Sequence, residues 1–416
     1  MKMQKIVVIG AGVGGLTTAA LLAKAGFEVT VLEAHVYSGG CAGTFYHQGY
    51  HFDAGATLAG GFQPGGPHHI VGELLNLTWP VRRAEPAWVV QLPDARIIRW
   101  GLDAAWRAER AEKLPQMRHF WRQQEYVADR VWNFSARVPA WPPANLTDWA
   151  RLFSKVRLPM VPTAPLALAS FGQWLEFNHI TDRQSRTFID AQLLISAQVT
   201  AAQANALYGA IAMDLPRAGA HHVQGGIGNL AKTLARGLRE QGGELLFRQQ
   251  VTCVVPQPGG GYLVRTNKGL EMRADGVVAN LTPWALASLL GEHAPAALRQ
   301  ELDKREEPWG AFTLYAGVDA DAVRGDCDHY QVVMDYDKPL GEANSVFISL
   351  SDPEDTSRAP AGQRTLTMST HTHLRSWWEL QRRYPEAFAA RAKPTARPFC
   401  VQRNRCCRTC GRASAL

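Results

Sequence analysis

Gly10-Ala11-Gly12-Val13-Gly14-Gly15 constrains this chain more than any other segment. It fits G-x-G-x-x-G, and its flanks decide what that means. Lys5–Ile9 before it is a short β-branched run of the kind buried in a parallel sheet. Leu16–Ala25 after it is helix-forming, and Gly26 is a helix stop. Glu28–Glu33 is a second strand ending in an acid, 18 residues beyond Gly15. Together these predict a dinucleotide-binding βαβ unit. Gly10 permits the tight turn, Gly12 lets a pyrophosphate approach the backbone, and Gly15 lets the helix pack on the strand. The helix N-terminus presents free N–H groups and partial positive charge to phosphates. The uncharged run Ile6–Ala23 superficially suggests a signal peptide or a membrane span, but four glycines within six residues argue against both.

A second glycine pair, Gly39-Gly40, follows the acidic strand and leads through Cys41-Ala42-Gly43-Thr44-Phe45 into Gly49–Thr57. Bare backbone there can pass under a long flavin cofactor. The run Gly39–Thr57, continued by Gly60–His69, resembles the phytoene desaturase and carotenoid isomerase superfamily of FAD-dependent oxidoreductases. Within that superfamily it is most similar to the carotenoid 3,4-desaturase branch. His222–Leu234 resembles the family's Gly-Gly-x-Gly stretch, which opens a helix beneath the flavin. Asp275–Pro283 resembles the strand and turn that return to the cofactor domain, and Ser351–Pro353 and Arg358–Gly362 match a stretch of its substrate domain.

The resemblance implies an α/β chain with a discontinuous Rossmann-type FAD-binding domain, residues 1–70 and 215–290, and an inserted α+β substrate domain, residues 71–214 and 291–390. It implies FAD held by Gly10, Gly12, Gly14, Gly15, Glu33, Ala34, Gly39, Gly40, Cys41, Val251 and Asn280. Val251 is expected near the adenine, at the end of a strand over 243–255. The implied activity removes two hydrogens from a lycopene-type or hydroxylated acyclic carotenoid and so extends the polyene. A carotenoid cis-trans isomerase and a truncated, non-catalytic remnant are the alternatives. Such a substrate has almost no polar handles, so an apolar tunnel is expected, with flavin carrying the redox chemistry.

No catalytic base stands out. Asp53, in Phe52-Asp53-Ala54-Gly55, reads either as a polar group near the flavin or as a turn carboxylate bonded to backbone N–H groups. Cys41 stands where many related flavoproteins carry Arg, and reads as a small residue that fits close to FAD. Of 13 His, the pairs His68-His69, His221-His222 and His371/His373 are close in sequence, the second just before Gly225-Gly226. His371 and His373 would share one strand face, but no Glu or Cys stands at a ligand spacing around them, so no metal site is expected. Nine of 13 Trp fall between Trp79 and Trp174, as core packing or as the lining of a substrate channel. Arg151–Leu166 mixes bases, apolar residues and three prolines, and reads either as a transient membrane-surface contact or as a linker into a helix over Phe171–Phe177. Sparse body cysteines fit a reducing cytosol, so a cytoplasmic protein, at most peripheral on the membrane, is expected. The oligomeric state is left open.

The net charge of +7 does not indicate a nucleic-acid partner. Residues 391–416 carry six Arg, one Lys and no acid, so residues 1–390 are formally neutral. Four of the seven Cys lie in the same tail: Cys400, Cys406, Cys407 and Cys410. The resemblance implies a closing Gly-Asp element there, which the tail does not supply. The tail reads first as an out-of-frame ending, with a zinc or cluster site on those cysteines and a basic tail for nucleic acid or anionic membrane as the alternatives.

Overall fold

The computed structural model describes residues 4–137, 143, 145–304, 309–323 and 325–388. The tail 391–416, with the reading placed on it, lies outside the described residues.

The glycine turn and its flanks form the βαβ unit that the spacing predicts. Lys5–Ile9 and Glu28–Leu32 are parallel strands joined by the helix Val13–Lys24. Gly276–Ala279 and Glu244–Leu246 complete a four-stranded parallel sheet, in the order 276–279, 5–9, 28–32, 244–246. Both strands of the βαβ unit are central and buried, which is why they are apolar without alternation. The helix Val13–Lys24 packs Leu16, Ala19, Ala20 and Ala23 against Ala231, Leu234, Ala235 and Leu238 of the helix Gly228–Glu240. Gly276–Ala279 is an edge strand and only half-buried, and none of the following helix Pro283–Leu290 is buried.

The expected single strand over 243–255 is broken in two. Leu246 ends the parallel strand, and the chain turns through Arg248 at φ +58°. Arg248 and Gln249 donate their N–H groups to the carbonyls of His35 and Glu33 at 3.0 and 2.8 Å. Val251 then opens a second strand, Val251–Pro256, in a three-stranded antiparallel sheet with Tyr262–Thr266 and Glu271–Ala274. These bonds to the end of the acidic strand are the physical reason for the break. They place Arg248 and Gln249 beside Glu33, and they leave Val251 buried against Val7, Ile9 and Leu32.

A six-stranded sheet runs in the order 309–319, 363–373, 345–350, 329–333, 88–91, 96–99. Its pairs are antiparallel except for the parallel pair 329–333 with 88–91. Helices including Arg118–Ser135, Arg183–Ala197 and Ala206–Gly219 share the largest core with it. That core takes up Trp88, Trp106 and Trp121 as packing residues, and Trp174, which also lines a groove. The parallel sheet draws its strands from 1–70 and 215–290, and the six-stranded sheet from 71–214 and 291–390. This membership supports the two-unit division, which we propose. The short pair of 81–83 with 221–223 ties the units together.

A side chain at Gly15 would place its Cβ 2.2 Å from the carbonyl oxygen of Gly10. Gly15→Val is therefore expected to cost about 3 kcal/mol, the upper range for overpacking, read as a lower urea midpoint. Gly259→Ala, in open space within a hairpin turn, is expected to leave the midpoint unchanged.

Candidate functional site

The cradle begins where the helix Val13–Lys24 starts. Its N-cap is Gly12, with no side chain capping the first N–H groups. These donors are thus left for a ligand, and the helix dipole favours an anion there. Gly39 forms a parallel bridge with Gly12 and donates its N–H to Ala11 O at 2.9 Å. A Cβ on Gly40 would stand 3.7 Å from Gly12 Cα, so two stretches of bare backbone lie side by side.

Glu33 is buried at the edge of this cradle. Its Oε2 accepts from Ala11 N–H at 2.7 Å and its Oε1 from His35 N–H at 2.8 Å. A carboxylate can accept about four hydrogen bonds, so two donors fix its orientation and leave capacity for hydroxyl groups. Ala34 and Cys41 are exposed beside it, and Cys41 is a free thiol. Cys41 O accepts from Ala56 N–H at 3.2 Å, and Gly43 O from Ala54 N–H at 2.8 Å. The segments around Cys41 and Gly55 therefore run together.

Asn280 closes the mouth of the glycine turn. Its N–H donates to Ile9 O at 2.9 Å. Its Oδ1 stands 2.6 Å from the Cβ position of Gly12, and its Nδ2 stands 3.0 Å from that of Gly14. The bare face of Gly12, expected to admit a pyrophosphate, is thus needed first for the Asn280 side chain.

Asp53 sits at a junction of three chain segments. It is 3% exposed. Its Oδ1 accepts from Thr44 Oγ1 at 2.7 Å and from Ile227 N–H at 2.9 Å, while Oδ2 pairs with Arg358 Nη2 at 3.0 Å. Thr44 Oγ1 in turn accepts from Gly228 N–H at 2.8 Å, the first residue of its helix. Arg358 also donates from Nε to His51 O at 2.9 Å. Gly226 must be glycine, because a Cβ there would lie 2.6 Å from Thr44 Oγ1. Both oxygens are engaged, one by a single backbone N–H and a hydroxyl and the other by a guanidinium, so Asp53 sits at the end of a strand as a junction between segments. Sequence reasoning missed Thr44 and Arg358 as its partners. Thr44 sits inside a glycine-rich run, and Arg358 is 305 residues away.

A polar pocket lies behind this junction, lined by Asp53, Thr57, His222, His329, Ser349 and Arg358 among others. His329 Nδ1 bonds Ser349 Oγ at 2.9 Å, and Ser349 Oγ bonds Thr57 Oγ1 at 2.7 Å. His329 is 1% exposed, and its Nε2 has no partner among the described residues. Burial first, then the charges of His222, Arg364 and Arg358, hold its pKa well below the usual imidazole value. His222 of the same pocket pairs with Asp328 at 3.6 Å, while other histidines named from the sequence pack on rings. His68 stacks on Phe62 at 4.7 Å, and His371 and His373 both meet Trp309. No group of three or more metal-ligand side chains is gathered among the described residues.

The family model for flavin containing amine oxidoreductases matches residues 13–312. The chain belongs to that family. It is similar to the chloroplastic prolycopene isomerase of Arabidopsis thaliana, 27% identical over 94% of this chain and 66% of that protein. It is also similar to a 4,4'-diapophytoene desaturase (4,4'-diapolycopene-forming) of Methylomonas sp, 25% identical over 87% of this chain and 72% of that one. These relatives fit the phytoene desaturase and carotenoid isomerase superfamily. The chain spans just under two thirds of the length of the prolycopene isomerases it matches. Among solved structures, an oxidoreductase from Methanosarcina mazei shares the fold, with a TM-score of 0.64 and 16% identity over 95% of this chain and 84% of that one. The cofactor of this flavoprotein is FAD, and the cradle fits it. The uncapped helix start offers phosphate donors, the paired glycine stretches leave bare backbone, and Glu33 has spare acceptor capacity facing them.

Asp53→Ala would leave the Arg358 guanidinium buried without its carboxylate. A loss of about 3 kcal/mol is expected, measured by urea unfolding, with Arg358→Met restoring part of it in the double variant.

His329 generates a pH dependence. Its folded pKa is depressed, so below pH ~6.5 the unfolded chain takes up a proton that the folded chain refuses. Its stabilising contribution is present above that pH and is lost as pH falls through it. Tm is expected to drop from pH 7 to pH 5, and His329→Gln is expected to flatten the drop relative to wild type.

Proposed function

We propose that this chain is an FAD-dependent carotenoid desaturase, which removes two hydrogens from adjacent carbons of a lycopene-type or hydroxylated acyclic carotenoid and introduces a 3,4 double bond. The observation that carries the reading is likeness over almost the whole chain to two proteins named for work on such polyenes. FAD, when bound, supplies the acceptor for the two electrons and the hydride equivalent that leave the substrate. The chain's own residues bind and orient. Gly12, Gly14 and Gly15 present the helix N-terminus to the pyrophosphate, and Glu33 takes the ribose hydroxyls. Ala34, Gly39, Gly40 and Cys41 run beneath the cofactor, with Asn280 at the mouth of the glycine turn. Arg248 and Gln249, adjacent to Val251, flank the adenine end. The Thr44–Asp53–Arg358 junction holds the Gly225–Gly228 turn against the hairpin 44–53 and so keeps the flavin side of the cradle in one shape.

A carotenoid cis-trans isomerase is the second reading, favoured because the prolycopene isomerases align over 89–94% of this chain. Expression of the chain in a lycopene-producing host separates the two. A pigment two hydrogens lighter, absorbing at longer wavelength, is the expected product. An isomer of unchanged mass would replace the first reading with the second. Unchanged pigment together with colourless purified protein would overturn both and leave a non-catalytic remnant.

A further inference from the structure

A cavity of about 200 Å³ opens between the helices Asp103–Lys113 and Arg118–Ser135. Four guanidinium groups and one carboxylate line it. Arg107 and Arg110 come from the first helix; Arg118, Trp121, Arg122 and Glu125 come from the second, at i, i+3, i+4, i+7 spacing. Glu125 is shared between the helices. Its Oε1 accepts from Arg110 Nη2 at 2.5 Å and its Oε2 from Arg107 Nη2 at 3.2 Å. Asp103 adds a contact to Arg107 at 3.7 Å. Arg118 and Arg122 are exposed, and neither has an ion-pair partner among the described residues. Positive charge is thus in excess around one concave space.

The innermost base is the least satisfied. Arg110 is 7% exposed, its guanidinium lies 5.5 Å from the centre of the Trp121 ring, and its Nη1 has no hydrogen-bond partner among the described residues. The same holds for Trp121 Nε1, on a residue 2% exposed. Buried donors left unpaired cost stability. Burial pushes the Arg110 guanidinium below its usual range, and the charge of Glu125 offsets only part of this. The helix Arg118–Ser135 starts with no side-chain cap and no acid in its first turn, so its dipole adds to the positive potential. We propose that this cavity binds a phosphate dianion, free or as the end of a soluble monoester. Arg118 and Arg122 supply the outer donors, and Arg110, held by Glu125 and Trp121, the inner charge; guanidinium forks match phosphate oxygens in pairs. Two negative charges compensate the excess better than the single charge of a carboxylate or of a phosphodiester such as a lipid headgroup. The bound dianion joins the two helices and so stabilises the folded chain. None of these residues belongs to the glycine cradle, and the proposal does not depend on the carotenoid reading.

Calorimetric titration and thermal unfolding of the full chain test it, with FAD in excess so that the cradle's own phosphate site is filled. Inorganic phosphate, at about pH 8 and at an ionic strength held constant with sodium chloride, should bind one site per chain and raise Tm saturably. The double variant Arg118→Gln/Arg122→Gln alters exposed, unpaired side chains only. It should not lower Tm in phosphate-free buffer, and it should weaken phosphate binding about tenfold or more. Glycerol 3-phosphate should bind about tenfold more tightly than glycerophosphoglycerol, the diester that stands for a lipid headgroup. Absence of saturable binding overturns the proposal, and so does binding unaltered in the double variant. An equal rise in Tm with sodium chloride alone would overturn it in favour of general screening. Tighter binding of the diester would overturn the assignment to a soluble monoester.

Discussion

The buried Asp53–Arg358 pair is the constraint on which the rest of the cradle depends. It joins three stretches far apart in sequence: the hairpin 44–53, the turn that opens the helix Gly228–Glu240, and the loop at Arg358. A buried ion pair adds little net stability over an apolar substitute, because desolvation offsets most of the attraction. What it supplies is specificity of position. Thr44 and the Ile227 N–H group saturate one carboxylate oxygen, Arg358 pairs with the other, and the turn has one arrangement that meets all of these bonds.

That junction joins the two sheets as well as the three segments. The hairpin 44–53 leads from the parallel cofactor sheet, while Arg358 belongs to the connection between strands 345–350 and 363–373 of the larger sheet. Tyr315, also in the larger sheet, donates to Ala54 O at 3.0 Å. The polar pocket with His329, Ser349 and Thr57 lies on the same seam. A cofactor lying over the adjoining glycine stretches at Gly12 and Gly40 would therefore rest on ground held by both sheets.

Local patterns were readable in the sequence, and long-range closures were not. The strand Lys5–Ile9 and the helix Phe171–Phe177 occur where their composition and flanking residues place them. The helix is fixed by Ser170 and Gln173, a capping box visible within four residues. The strand break before Val251 had no such signal, because its cause is hydrogen bonding of Arg248 and Gln249 to the far-off carbonyls of His35 and Glu33. Arg358 likewise shows in the sequence only as the first residue of a family-like stretch, with nothing beside it to name its partner. Its partner is known once the fold has brought Asp53 to it. Asn280 was picked out through family resemblance, but the reason it demands bare glycine at Gly12 is a contact across 268 residues.

The edge strand Gly276–Ala279 has a further consequence. Among the described residues it carries a row of backbone groups unpaired on one side, and the next residue, Asn280, is the one whose side chain fills the glycine turn. An extended chain that paired with this edge would lie against the strand that carries Asn280. If that pairing moved Asn280, edge occupancy and dinucleotide affinity would be linked, each changing the other by the same factor.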